Sequence, residues 1–172
     1  MYTNILVPID GSSTSLAALR HAIELAKICS ARLTLLHIID MAEYVGGYIT
    51  PAVYESEVHP RAISLGKELL RSTRDTLVQD EADVDIVLLE NPGSHVSDLI
   101  VGYASRCRAS VIVMGTHGMS GTRRLFLGSN AERVVQLSNS PVMLVKPGSR
   151  KMTMTALPEM RVIPCNETEE AV

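Results

Sequence analysis

The chain predicts an α/β protein: a Rossmann-like, open five-stranded parallel sheet with helices on both faces. Three observations carry this. Short apolar runs alternate with helical patterns as β-α-β-α-β-α-β-α-β, and that alternation calls for right-handed crossovers onto a parallel sheet. The runs are nearly continuous in apolar character, as suits strands covered on both faces. The core is aliphatic: 46% of the 172 residues are apolar, yet there is one Phe, no Trp and only five Tyr. If strands 1 to 3 wind one way and strands 4 and 5 the other, the order is 3-2-1-4-5. Strands 1 and 4 then meet at the switch point, where such sheets bind ligands beyond their carboxyl ends.

Residues 4–9, Asn-Ile-Leu-Val-Pro-Ile, form the first predicted strand, with Pro8 near its end where a missing N–H is tolerable. Asp10-Gly-Ser-Ser-Thr supplies turn and capping chemistry. Leu16, Leu19, Ile23 and Ala26 then recur at helical spacing up to about Cys29. Residues 31–39 are the second strand. Residues 40–56 carry Gly46-Gly47, Pro51 and three tyrosines without a period, which predicts a long loop, either a binding loop or a surface excursion. A helix is expected from Glu57 to about Asp80, with Ile63, Gly66, Leu70, Thr73 and Leu77 on one face. Residues 83–90 are the third strand, and Asn91-Pro-Gly-Ser is a turn and cap. Val96, Leu99, Ile100, Tyr103 and Cys107 mark the next helix. Residues 109–114 are the fourth strand, residues 129–138 a short helix, and Val142-Met-Leu-Val145 the fifth strand.

One domain is expected over 1–147. The polar segment 148–172 predicts a mostly mobile C-terminal extension, in which Met160-Arg-Val-Ile163 is either a short edge strand or a docking segment. The net charge of -3 supplies no basic field for nucleic acid or anionic lipid, and the scarcity of aromatics argues against a base-stacking surface. No apolar run reaches membrane-spanning length. The first residues lack a basic region followed by a long apolar stretch. Three unpaired-looking cysteines, Cys29, Cys107 and Cys165, suit a reducing compartment. A cytoplasmic protein is the expectation.

The stretch Gly115–Asn130 is the chemical centre of the sequence. It links strand 4 to the last helix and places glycines at 115, 118, 121 and 128. Glycine lets a ligand approach bare backbone, and a helix N-terminus offers unpaired N–H groups to phosphate. It is not the dinucleotide fingerprint, because the first strand-helix turn holds one glycine. It is not a P-loop, which ends in Gly-Lys-Ser/Thr, because Gly128-Ser129 has neither the preceding pattern nor the lysine. What remains is Gly115-x2-Gly118-x9-Gly128-Ser129. On the inferred strand order Asp10 and Gly115 end neighbouring strands and face one crevice.

This spacing resembles the universal stress protein (UspA-like) family. The resemblance rests on Ile5-Leu-Val-Pro-Ile-Asp-Gly-Ser12, Leu36-His-Ile-Ile-Asp40, Val113-Met-Gly-Thr-His-Gly118, Gly128-Ser-Asn-Ala-Glu-Arg-Val-Val and Ser140-Pro-Val-Met-Leu-Val145. The glycine spacing marks the ATP-binding branch; the branch resembling the founding stress protein lacks it. The resemblance implies that Asp10 accepts from ribose hydroxyls and that Pro8, Ile9 and Met114 line the site. Ile38 would meet adenine through its backbone. Gly115, Gly118, Gly128, Ser129 and Asn130 would hold the phosphates, with Mg²⁺ or Mn²⁺ riding on them, and Gly121 becomes spacer. Arg123 and Arg124 are either phosphate contacts or solvated surface.

Each site residue also has a plain structural reading: Asp10 as cap of the first helix, Ser129 as cap of the last, Gly115 as a tight-turn residue. Ser12, Ser13 and Thr14 read as caps. No metal cluster follows from the five histidines, and only His117 lies near the ligand. The resemblance implies an ATP-binding stress-response regulator, a homodimer through the last strand, with a regulatory protein partner that the sequence does not identify. The alternatives are a slow ATPase or autophosphorylating enzyme, and a dimeric interaction protein without nucleotide.

Overall fold

The structure, a computed structural model, describes residues 1–40, 50–77, 83–91, 93–118 and 127–146. Five strands, β1 (Asn4–Pro8), β2 (Arg32–Ile39), β3 (Val84–Glu90), β4 (Val111–Gly115) and β5 (Val142–Val145), form one sheet in the order β3-β2-β1-β4-β5. All four pairings are parallel, so the expected topology is the observed one.

The two-residue alternation of the strands sends their side chains to two cores. Ile5, Val7, Leu33, Leu35, Val111 and Val113 face α1 (Ser13–Cys29) and α3 (His59–Leu77), meeting Ala18, Ala22 and Leu70 there. Leu6, Leu36, Ile112 and Met114 face α4 (Val96–Arg106) and α5 (Ser129–Leu137), meeting Ile100, Ala104 and Val134. Buried on both faces, β1 and β4 are the centre of the sheet. At their amino ends Ser110 Oγ accepts from the Thr3 and Asn4 N–H groups and donates to the Asn4 carbonyl. That pins β1 to the start of β4 and leaves the opposite, carboxyl edge to shape a crevice.

Two expectations change. The second long helix does not begin at Glu57. Thr50 caps a helical turn, α2 (Pro51–Val53), whose Val53 N–H meets Thr50 Oγ1. A π-helical stretch, Tyr54–Val58, then runs into α3. Proline at a first helical position is a start signal, but the wide π turn shifts the phase of the residues behind it and hides the period. Leu16, expected on the buried face of α1, is 38% exposed, and Ala18 and Ala22 take its place in the core. Smaller differences lie at element ends. Residues 41–49 of the predicted loop, Gly121, Arg123, Arg124, Cys165 and the whole extension 148–172 lie outside the described residues. Among the described residues no helix is long and apolar enough to cross a membrane.

Candidate functional site

A cavity of about 410 Å³ opens at the carboxyl edge of β1, β2 and β4. It is lined by all ten residues singled out in the sequence: Pro8, Ile9, Asp10, Ile38, Met114, Gly115, Gly118, Gly128, Ser129 and Asn130. Strand order explains the convergence. β1 delivers Pro8 to Asp10, its neighbour β2 delivers Ile38, and its other neighbour β4 delivers Met114 and Gly115.

Asp10 does not cap α1. Ser12 is the N-cap, its Oγ accepting from Ser15 N–H at 3.1 Å. Asp10 Oδ1 in turn accepts from Ser12 N–H at 2.9 Å and Ser12 Oγ at 2.6 Å. One carboxylate oxygen is therefore committed to the turn, which Gly11 completes at φ +81°. The other oxygen, Oδ2, faces Gly118, where a Cβ would lie 3.0 Å from it. Gly118 keeps that carboxylate open.

Gly115 serves a different purpose. A Cβ there would lie 2.8 Å from the Thr14 carbonyl carbon and 2.9 Å from Thr14 Cβ. The glycine lets the first turn of α1 sit on the end of β4, and its φ is not positive, so the tight-turn reading fails. Thr14 is more than a capping residue: its hydroxyl donates to the His117 carbonyl and latches α1 to the glycine loop. Gly128 closes the same loop. Its N–H donates to the Thr116 carbonyl at 2.8 Å, and a Cβ would press within 3.1 Å of that oxygen. Gly128, not Ser129, is the N-cap of α5, and it makes no side-chain cap bond. The first-turn N–H groups of α5 thus begin at the cavity, carrying the positive end of the helix dipole.

Ile38 is placed by β2's alternation. Residues 32 and 36 turn their backbone groups towards β1, residues 33 and 39 towards β3. Ile38 belongs with the first set, but the β1–β2 register stops at Pro8–Leu36. Its N–H and C=O therefore face the open edge.

The sequence reading missed several lining residues: Ser15 in the first turn of α1, Leu36, His37 and Asp40 near the end of β2, Leu65, Gly66 and Leu69 from α3, Val96 and Ile100 from α4, and Ala131. The buried-face period of α3 could have pointed to Gly66, and the alternation of β2 to His37. Two histidines border the cavity. His37 Nδ1 meets the Ile9 carbonyl at 2.7 Å. His117 Nδ1 meets Thr116 Oγ1 at 3.0 Å, and its buried Nε2 has no partner among the described residues. Among the described residues lining the cavity there is no Lys or Arg, so the groups suited to an anion are backbone dipoles. No cluster of metal-ligating side chains exists among the described residues.

A sequence profile described as the Universal stress protein family matches residues 1–146. The chain belongs to this family. Its similarity to the universal stress protein MJ0531 of Methanocaldococcus jannaschii is 33% identity over 147 residues, covering 85% of this chain and 83% of that protein. Among solved structures, the MJ0577 protein of the same organism superposes with a TM-score of 0.74 at 28% identity, over 87% of this chain and 99% of that one. A universal stress protein from Archaeoglobus fulgidus, solved in complex with dAMP, superposes with a TM-score of 0.61 at 26% identity, over 84% of this chain and 98% of that one.

Proposed function

We propose that the crevice holds an adenine nucleotide, ATP with Mg²⁺ or Mn²⁺ on its phosphates, and that the chain acts as a nucleotide-dependent stress-response regulator. The observation that carries the reading is the set of groups gathered around one cavity: a backbone donor–acceptor pair, a half-free carboxylate and an uncapped helix N-terminus. Ile38 N–H and C=O match the acceptor and donor on adenine's edge. Asp10 Oδ2 can accept only, which suits a ribose hydroxyl. The α5 N–H groups, the Ser129 hydroxyl and Asn130 would hold phosphate oxygens. With no basic side chain among the described lining residues, the divalent ion would supply the charge neutralisation on the phosphates. The dAMP complex of the Archaeoglobus relative supports the same ligand class.

In this reading residues 1–147 are the functional domain and 148–172 an added segment, in a cytoplasmic homodimer. β5 is the edge strand for such a dimer: Met143 on it and Val135 and Leu137 on α5 are exposed apolar side chains. The test is calorimetric titration of ATP, with and without Mg²⁺, into the wild type and Asp10→Ala. Micromolar binding that weakens at least tenfold in the variant is expected. An absence of binding to the wild type, or equal affinity in the variant, would overturn the proposal.

A further inference from the structure

In the two-residue alternation of β2, a further rung to β1 would follow Pro8–Leu36. It would carry Ile38 N–H to the Ile9 carbonyl and Gly11 N–H to the Ile38 carbonyl, by extension of the bonds Arg32 N–H to Thr3 and Ile9 N–H to Leu36. Among the described residues that rung is missing; the pair ends on Ile9 N–H to Leu36 C=O at 2.8 Å. Two features remove it. Gly11, at φ +81°, turns the chain away, so its N–H leaves the ladder. The Ile9 carbonyl is taken by the His37 ring at 2.7 Å. A carbonyl only accepts, so the hydrogen of that bond sits on His37 Nδ1.

We propose that His37 is a positioning residue for base recognition: by holding the Ile9 carbonyl it keeps the last rung of the β1–β2 ladder open and leaves Ile38 N–H free to meet the ligand's base. The inference rests on the nucleotide reading for its ligand, but its structural half is independent of it. The fold makes specific room for the ring. Gly66 of α3 stands over it, and a Cβ there would lie 3.0 Å from His37 Cδ2 and 2.8 Å from Leu88 Cδ1. His37 itself borders the cavity beside Ile38. A histidine in an aliphatic strand, under a glycine in the buried face of a helix, is costly to place unless its hydrogen bond is used.

The experiment compares wild type, His37→Leu, His37→Phe and His37→Asn, each checked for folding by circular dichroism. Asn keeps a donor close to the position of Nδ1; Leu and Phe remove it. The first readout needs no ligand: amide hydrogen exchange of Ile38 against Leu36. In the wild type Ile38 is expected to exchange at least 100-fold faster than Leu36. In His37→Leu or His37→Phe, whichever folds, the rung closes and Ile38 slows towards Leu36, and His37→Asn restores fast exchange. The second readout is binding of MgATP and of magnesium tripolyphosphate, which has phosphates but no base. MgATP should weaken about tenfold without the donor, the loss of one hydrogen bond, while tripolyphosphate binding stays the same. A protected Ile38 amide in the wild type, unchanged exchange in both donor-free variants, or equal loss for ATP and tripolyphosphate overturns the proposal. If neither donor-free variant folds, exchange in His37→Asn decides it: an Ile38 amide as protected as Leu36 refutes it, and a fast one supports it. If the wild type binds no ATP, the nucleotide reading fails on its own and the exchange result still judges the role of His37.

Discussion

Gly115→Ala isolates what a glycine of the loop does for the fold. The added Cβ would stand 2.8 Å from the Thr14 carbonyl carbon. Ordinary carbon contacts begin near 3.5 Å, so something must move by roughly 0.7 Å. The obstacle is backbone in the first turn of α1, so no side-chain rotation relieves it. Overpacking of this kind costs typically 1–3 kcal/mol, and a backbone obstacle argues for about 3. Restricting the unfolded chain by replacing glycine returns about 0.4–1 kcal/mol. The net loss is about 2 kcal/mol, or about 4–8 °C in Tm for a chain of this size. Urea unfolding followed by circular dichroism, with calorimetry for Tm, measures it. A loss under about 0.5 kcal/mol would refute the reasoning, because it would mean that α1 and β4 can separate freely. A loss of similar size in a chain held free of nucleotide would assign the glycine to packing and not to a ligand.

Two other perturbations give contrasting outcomes. Gly118→Ala meets only Asp10 Oδ2, the movable end of a side chain, and Gly118 has no positive φ. Its stability should stay within about 0.5 kcal/mol while MgATP affinity falls about tenfold or more, as for a disturbed hydrogen bond to a charged group. Unchanged affinity by titration would separate Asp10 from the ligand. Asp98 is paired bidentately with Arg133, at 3.0 and 3.2 Å, tying α4 to α5. The hydrogen bond from Arg133, against a smaller opposing effect of desolvation, holds its carboxyl below the ordinary value of 3.8. A carboxyl lowered in the folded state stabilises above the unfolded pKa and loses that contribution as pH falls through the folded one. The Tm difference between wild type and Asp98→Asn should therefore be present at pH 6 and shrink as the pH drops below about 3.8, the unfolded value. A difference independent of pH across that window would show that the pair does not act electrostatically.

The sheet order was legible because the ligand chemistry and the winding rule agree. Asp10 and Gly115 both end central strands, and only an order with β1 beside β4 brings them together. The ten residues singled out in the sequence line one cavity for the same reason: they lie at strand ends, in the loop after β4 or at the start of α5. The errors share a physical origin as well. The start of the second long helix was obscured by the π turn at Tyr54–Val58, which changes the residue count per turn. Ser12 caps α1 as expected, while the plain cap readings of Asp10 and Ser129 give way to Ser12 and Gly128. A cap is decided by which oxygen reaches which N–H, and neighbouring polar residues compete for the same role. His37 and Gly66 were invisible as a pair because they lie far apart in sequence, and only packing of α3 over β2 joins them.

The central position of β1 has a consequence for how the protein is made. β1 is made well before one of its two neighbours, β4, which begins at Val111. At about 5–20 residues per second, the β4-facing edge of the future sheet centre waits on the order of ten seconds for its partner. During that time Ile5, Leu6 and Val7, fully buried in the finished fold, have β2 on one side and an open ladder on the other. The nascent first half is a β-α-β unit whose β1 edge stays an open ladder until β4 arrives. The cavity draws on residues from Pro8 to Ala131, so its lining is complete only after synthesis has passed β4, on the far side of the sheet centre from β2.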